Sequence, residues 1–330
     1  MAELVLISGY QASGKTTITQ EYLDKGFKRV NRDELGGSVE STIPVARNHL
    51  SAGESVVADN TFLSIPDRTP WIEMAKEVGA SIHCIHMDTA WEDCQMNACL
   101  RMIERRGKVL SPEEFKGESD PNLFPIAVLF MSKNKFENKK KKGVCPIPDF
   151  PGSQVPKKSH GFDSVELRKF KRVWGDEHTH SAFIFDADGL LRESTGEHPW
   201  PTNPDHVEVK DKELAVIKQM IADQKPDFLL GVSNQSTHEK KECLTPLADI
   251  DACFERTNEL TGLDIEWTYC PHYRFPTACY CRKPQVGLAA ELIVKHNLLP
   301  SKCTMFGDST SDGTFAKRAG FNFVHVKELK

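Results

Sequence analysis

Four residues near the start of the chain are spaced for phosphate chemistry: Gly9, Gly14, Lys15 and Thr16 form G-x-x-x-x-G-K-T within Gly9-Tyr10-Gln11-Ala12-Ser13-Gly14-Lys15-Thr16. The two glycines let the backbone curl until its N–H groups face one point. A helix starting there adds its positive dipole end, and the Lys15 ammonium can neutralise phosphate oxygens. The Thr16 hydroxyl suits Mg²⁺, while Ser13 and Thr17 border the same cradle. ATP with Mg²⁺ is the ligand this pattern implies. Two carboxylates stand where strands should end, Asp33 in Val30-Asn31-Arg32-Asp33 and Asp59 in Val56-Val57-Ala58-Asp59-Asn60-Thr61. Phosphoryl transfer to a hydroxyl needs a base, and Asp33 is the candidate. Arg101, Arg105 and Arg106 fall on one expected helix after Trp91, from which arginines could close over a nucleotide and stabilise a transferring phosphoryl group.

A second acidic pattern occurs in Phe183-Ile184-Phe185-Asp186-Ala187-Asp188-Gly189. Residues two apart on a strand point the same way, so both carboxylates can address one phosphate. Asp186 can attack phosphorus to give an aspartyl-phosphate. Asp188 can protonate the leaving oxygen and then activate water. An acidic turn would explain a lone D-x-D as well. Two further strand ends carry complementary groups, a hydroxyl in Leu229-Leu230-Gly231-Val232-Ser233-Asn234-Gln235 and acids in Phe306-Gly307-Asp308-Ser309-Thr310-Ser311-Asp312, and Cys281-Arg282-Lys283-Pro284 supplies a cation before a helix. Between them lie Cys270-Pro271-His272 and Cys279-Tyr280-Cys281. Three thiolates and one imidazole make a closed tetrahedral set, suited to structural Zn²⁺ and without an open catalytic position. Such a site adds about 10 kcal/mol or more to local order.

Elements must position these groups. Short apolar runs at Leu4–Ile7, Val56–Ala58 and Ile82–Met87 alternate with helical stretches, which reads as a parallel α/β sheet. Ile18, Tyr22 and Leu23 share one face of the first helix. A second series follows, with expected strands Ala182–Phe185, Phe228–Val232, Ile265–Tyr269, Cys303–Phe306 and Phe321–Val326. Helices are expected near Glu213–Ala222 and Gly287–His296. Lys133, Lys135 and Lys139 to Lys142, followed by Pro/Gly-rich chain, mark a loop or domain edge. The organisation expected is two doubly wound parallel-sheet α/β domains, residues 1–175 and 176–330, with a zinc loop at 270–281.

With 330 residues, each half can bury its own core. Hydrophobic residues at 39% and charged residues at 27% suit a globular protein, and a net charge of −5 excludes a polycationic one. No apolar run approaches the ~20 residues needed to span a bilayer, so no membrane partner is expected. Ten cysteines without a leader at the start fit a reducing compartment: the cytoplasm, or the nucleus in a eukaryote.

The first half resembles the kinase domain of polynucleotide kinase/phosphatases through the phosphate loop, residues 30–36, Asp59-Asn60-Thr61 and a weaker Gly161-Phe162 stretch. The resemblance implies that Asp33 is the base for a 5′-hydroxyl, that Asp59 and Asn60 help position the acceptor with Arg101, and that Arg105 and Arg106 belong to a lid. The second half resembles the haloacid dehalogenase superfamily. Carried over, Asp186 is the nucleophile and Asp188 the acid/base; Ser233 and Lys283 hold phosphate oxygens, beside Asn234 and Arg282. Asp186, Asp188 and Asp308 would bind Mg²⁺, with Asp312 behind them. Leu190 stands where many members carry threonine. The Cys/His set resembles the zinc loop of the histidinol-phosphate and heptose-bisphosphate phosphatase branch.

Together these imply a healer of DNA or RNA ends, phosphorylating a 5′-OH and removing a 3′-phosphate, with a ligase as a natural partner. The Lys133–Lys142 cluster and Arg168-Lys169-Phe170-Lys171-Arg172 could grip nucleic-acid phosphates. Two other readings stay open. One is a small-molecule kinase fused to a sugar- or histidinol-type phosphatase, which the zinc loop favours. The other is a catalytically silent end-binding module, against which Lys15, Asp33, Asp186 and Asp188 argue.

Overall fold

The computed structural model describes residues 1–137, 161–170, 172–235, 245–272 and 278–329. Lys139 to Lys142, the Pro/Gly-rich chain after them and Lys171 lie outside the described residues, as does the side chain of Lys135. The chain divides into two compact units, residues 1–98 with 120–172 and residues 99–119 with 173–330. The sequence suggests a single crossing near 175 and gives no hint that residues 99–119 group with the second unit.

The first unit holds five parallel strands: β1 Glu3–Ser8, β2 Lys28–Val30, β3 Val56–Asp59, β4 Ser81–Met87 and β5 Ser164–Arg168. Their order is β2-β3-β1-β4-β5. Leu4, Val5, Leu6 and Ile7 have no exposed surface, as a central parallel strand covered on both faces requires. The helices are α1 Lys15–Leu23, α2 Arg32–Leu35, α3 Ile43–Ser51, α4 Ile65–Glu77, α5 Trp91–Arg106 and α6 Ile126–Glu137, with α5 running on into the second unit. Leu4, Leu6, Ala58, Phe62 and Trp71 pack on one face of the sheet. Val5, Ile7 and Ile85 pack on the other against Ile18, with Tyr22 and Leu23 as the sequence suggests. The chain runs from β1 to β2 and β3 on one side and then crosses to β4 on the other, so the C-terminal end of β1 opens the crevice in which such sheets bind ligands.

The second unit repeats this logic. Its main sheet is parallel in the order β10-β9-β6-β11-β12, built from β6 His180–Phe185, β9 Phe228–Asn234, β10 Glu266–Cys270, β11 Leu298–Gly307 and β12 Asn322–His325. Two short antiparallel strands, β7 Arg192–Ser194 and β8 Val207–Val209, stand beside it. Helices α7 Asp211–Gln224, α8 Leu247–Thr261, α9 Gly287–Lys295 and α10 Thr310–Ala319 connect the strands. Phe185 and Phe306 stack at 5.2 Å in a core shared with Phe183, Leu214 and Ile217. Both units are therefore parallel-sheet α/β domains, as expected. Sequence reading misses β5, an edge strand whose polar side chains break the apolar signal, and the three-residue strands β7 and β8. No helix among the described residues is long and apolar enough to cross a membrane.

Candidate active sites

In the first unit the loop from Gly9 to Thr16 joins β1 to α1. Gly9 has φ 150° and lies so close to Met87 that a Cβ there would come within 2.8 Å of it. Gly14, at φ 95°, caps α1 without any side-chain hydrogen bond, which leaves the first-turn N–H groups for a ligand. Side chains from outside brace the loop: Thr89 Oγ1 donates to Ser13 O at 2.8 Å and Asn97 Nδ2 to Ala12 O at 2.8 Å. Ser13 Oγ is buried with no hydrogen-bond partner. Lys15 Nζ folds back onto the loop, donating to Tyr10 O at 2.6 Å and Gly9 O at 3.2 Å. Thr16 and Thr17 are exposed at the mouth. An orphaned hydroxyl, uncapped N–H groups and a lysine turned inward fit a nucleotide's phosphates.

Asp59 closes β3 in register with Ile7 and is 4% exposed. Arg29 Nη2 reaches its Oδ2 at 2.7 Å, and the Asn31 side chain donates to its carbonyl. Asn31 also caps α2, accepting from Asp33 N at 2.7 Å. Asn60 Oδ1 accepts from Arg32 N at 3.4 Å, leaving Asn60 Nδ2 buried without a partner. The ends of β2 and β3 are thus tied together beside the loop. Asp33 stands at the exposed edge of this cluster, with Oδ1 accepting from Arg32 Nε and Nη2.

Of the expected lid arginines, Arg106 forms a two-pronged pair with Glu118, at 3.0 and 2.8 Å. Arg101 is half-buried and Arg105 exposed on the same part of α5, which falls in the second unit. The basic run after β5 is largely engaged. Arg168 pairs with Glu21 and Glu166, Lys169 with Asp88, and Arg172 donates to Asp93 O and the Asn97 side chain. Phe170 from that run covers Gly14.

In the second unit Asp186 directly follows β6, with its N–H bonded to Phe306 O at 2.9 Å. Lys283, 4% exposed, places Nζ 2.8 Å from Asp186 Oδ1, 2.7 Å from Asp312 Oδ1 and 2.7 Å from Val232 O. Burial pushes the Asp186 carboxyl up to about 7, against the pull of Lys283. Burial works to lower the Lys283 ammonium, but Asp186 and Asp312 outweigh it and hold it above its ordinary range. Burial and then Asp312 raise Asp308. Oxygens of Asp186, Asp308 and Asp312 converge within 4.8 Å of one another. Gly189, at φ 84°, makes room: a Cβ there would lie 2.1 Å from Asp308 Oδ2.

Asp188 is not in that carboxylate group, although the sequence expects it among the Mg²⁺ ligands. Its Oδ1 accepts from Arg192 Nε at 2.8 Å and its Oδ2 from Gln235 Nε2 at 2.7 Å. Ser233 lies buried at the end of β9, bonded by Gln235 Nε2 at 2.9 Å. Asn234, expected on substrate, brackets Lys283: its Nδ2 donates to Lys283 O and its Oδ1 accepts from Lys283 N. Arg282 Nη1 donates to His272 O at 2.9 Å. Sequence reading did not single out Arg192 and Gln235, the two side chains that hold Asp188. Gln235 adjoins Ser233 and Asn234, while only the fold brings Arg192 back to Asp188.

Cys270, His272, Cys279 and Cys281 converge as expected, their donor atoms within 4.8 Å of one another. His272 Nδ1 lies 3.1 Å from Cys281 Sγ, and Cys270 Sγ lies 3.6 and 3.3 Å from the sulfurs of Cys279 and Cys281. A tetrahedral ion with bonds near 2.3 Å has ligand edges of about 3.8 Å, slightly longer than these. The three thiols are free of disulfides. Crowding splits them: hydrogen bonds from Cys270 and Cys281 hold Cys279 low, while those from Cys270 and Cys279 drive Cys281 up. The same sulfurs lift His272 to about 10. A dication would relieve that crowding, so the donor set fits one.

Fold and motifs define the class: two parallel-sheet α/β units, the first with a phosphate-binding loop after its first strand, the second with a D-x-D-G strand end beside a buried lysine. The model of the family described as an AAA domain matches residues 4–109. A bifunctional polynucleotide phosphatase/kinase of Schizosaccharomyces pombe is 35% identical over 109 residues, covering 33% of this chain and 26% of that relative's length. Among solved structures, D,D-heptose 1,7-bisphosphate phosphatase from B. bronchiseptica, complexed with magnesium and phosphate, is 21% identical. It covers 43% of this chain and 78% of its own, at a TM-score of 0.37. A sugar kinase from Janibacter sp. is 14% identical, covering 51% and 86%, at a TM-score of 0.31.

Proposed function

We propose that the chain heals nucleic-acid ends, using ATP to phosphorylate a 5′-hydroxyl in its first unit and removing a 3′-phosphate in its second. The observation that carries this reading is the cluster Asn31, Asp33, Asp59 and Asn60 beside the phosphate loop, within the segment that is 35% identical to a polynucleotide phosphatase/kinase. Lys15 and the α1 N–H groups hold the phosphates, and Thr16 would hold Mg²⁺, which supplies charge neutralisation when bound. Asp33 takes the acceptor's proton as its oxygen bonds to the γ-phosphorus and ADP leaves.

In the second unit Asp186 attacks phosphorus, the ester P–O bond breaks, and Asp188 delivers its proton to the leaving oxygen. Water then attacks the aspartyl-phosphate, Asp188 takes its proton, and phosphate departs. Lys283 and Ser233 hold phosphate oxygens, while Asp186, Asp308 and Asp312 would hold Mg²⁺, whose charge offsets that of the transferring phosphoryl group. Cys270, His272, Cys279 and Cys281 would hold a structural Zn²⁺.

The test uses two oligonucleotides, one with a 5′-OH and one with a 3′-phosphate, with Mg²⁺ and labelled ATP. Label at the 5′ end and phosphate from the 3′ end are expected. Lys15→Ala should abolish only the first activity and Asp186→Asn only the second. A Cys/His loop beside the phosphatase site favours a second reading, a phosphatase of small esters. Hydrolysis of small esters with both oligonucleotides unchanged would select it.

A further inference from the structure

Arg192 carries its guanidinium with no exposed surface. A buried cation is tolerated only against compensating partners. Nε donates to Asp188 Oδ1 at 2.8 Å and Nη1 to Thr257 Oγ1 at 3.1 Å, and Cζ lies 4.6 Å from the centre of the Phe254 ring. Nη2 has no partner, so the pair is not the two-pronged fork that an arginine optimised for ion pairing would make. What fixes the carboxylate instead is a grip from two sides. Gln235, just beyond β9, donates to the other oxygen, Oδ2, and its amide also reaches Ser233 Oγ. The chain is built for this return: Leu191 N and Arg192 N both donate to Ala187 O, and Gly189 N to Arg192 O.

We propose that Arg192 is a positioning residue for the phosphatase reaction, holding Asp188 by Oδ1 so that only Oδ2, on the Ser233 side, exchanges a proton with the reacting oxygens. This rests on the phosphatase reading above. The guanidinium keeps its charge and favours negative charge on Oδ1, whereas the Gln235 amide on Oδ2 is neutral, so the acid proton belongs on Oδ2. In the first step the Asp186–phosphorus bond forms, the ester P–O bond breaks, and the proton on Oδ2 passes to the leaving oxygen. In the second, water bonds to phosphorus, its proton passes to Oδ2, and the Asp186–phosphorus bond breaks. Both steps need Oδ2 aimed correctly, and misplacement by an ångström costs on the order of 100-fold.

The test compares an alkyl ester, the 3′-phosphate oligonucleotide, with p-nitrophenyl phosphate, whose leaving group needs little protonation. For Arg192→Gln, kcat on the alkyl ester should fall roughly 30- to 100-fold with KM within about twofold. On the aryl ester the first step should survive while the second slows. A burst of p-nitrophenol and phosphorylated Asp186 in acid-quenched samples would report this. Arg192→Lys should recover at least a tenth of the lost rate. Thermal melts of both variants establish the folded fraction, and Thr257→Val, which loosens Arg192 without removing it, should show the same burst in weaker form. Equal loss on both esters without a burst, or unchanged kinetics, would overturn the proposal while leaving the phosphatase reading intact. Failure of the unmodified chain to hydrolyse either ester would overturn that reading and the proposal with it.

Discussion

Lys283 Nζ lies 2.8 Å from Asp186 Oδ1, so the group read as the nucleophile is held in a buried ion pair. The same ammonium touches Asp312 at 2.7 Å, making one cation the counter-charge for two buried carboxylates. Coulomb attraction to Lys283 works against the desolvation that raises Asp186, without cancelling it.

Removing that cation should be costly twice over. Lys283→Met leaves Asp186 and Asp312 buried without a counter-charge, which costs about 3–5 kcal/mol of stability in the second unit. It also takes away a phosphate ligand, so the phosphatase rate should drop on the order of 100-fold or more. Kinase activity of the first unit should persist. Calorimetry and both activity assays check this, and an unchanged second-unit melt would contradict the ion-pair account.

Burial raises Asp186 to about 7, so metal-free protein holds a proton there below that pH. A cation bound by Asp186, Asp308 and Asp312 needs ionised carboxylates and must displace it. Mg²⁺ binding should therefore release nearly one proton at about pH 6 and almost none at about pH 8.5, with affinity rising as pH increases toward 7 and levelling above it. Titration calorimetry in buffers of different ionisation enthalpy measures this. Proton release that stays constant across the range would remove Asp186 from the linkage.

Residues 107–119 lean on the Cys/His loop. Phe115 packs its ring 6.5 Å from that of Tyr280, between Cys279 and Cys281, and Glu113 faces His272 Nε2 at 3.7 Å. Metal-bound imidazoles commonly direct their second nitrogen at such a carboxylate. Chelating a structural Zn²⁺ should speed amide exchange at residues 109–118 as well as in the loop, with re-added Zn²⁺ restoring protection. Exchange confined to the loop would show that the segment is held by other contacts, among them the bond from Val109 N to Glu291.

Local spacing carried what local geometry uses. The phosphate loop and the Cys/His set depend on residues near one another in sequence, and each folds as its spacing suggests, whereas the D-x-D-G strand end brings only Asp186 into the carboxylate group. Where charge seeks a partner across the fold, spacing is silent. Arg106 meets Glu118, and Arg168 meets Glu21, so positions that look like ligands for phosphate are engaged with acids. Asn234 acts on the Lys283 backbone because the ends of β9 and the loop before α9 lie side by side. Arg192 sits in a run, Leu190-Leu191-Arg192, that reads as the edge of a core, and only the tight turn after Asp188 shows what it holds.

His86 gives the first unit an acid limit that can be worked out in sign. It lies 3% exposed on β4, with Nδ1 3.4 Å from Ser8 Oγ, and burial pushes its imidazole from 6.5 down to about 4. The folded chain thus refuses a proton that the unfolded chain accepts. Above about pH 6.5 both states are neutral and His86 is without effect. As pH falls from there toward 4, stability drops by up to about 3 kcal/mol. Amide exchange of β1 and β4, followed between about pH 4 and 7, should show that loss. His86→Asn should flatten the pH slope by up to one proton, whatever it does to stability at neutral pH. An identical slope in the variant would assign the acid limit to other groups.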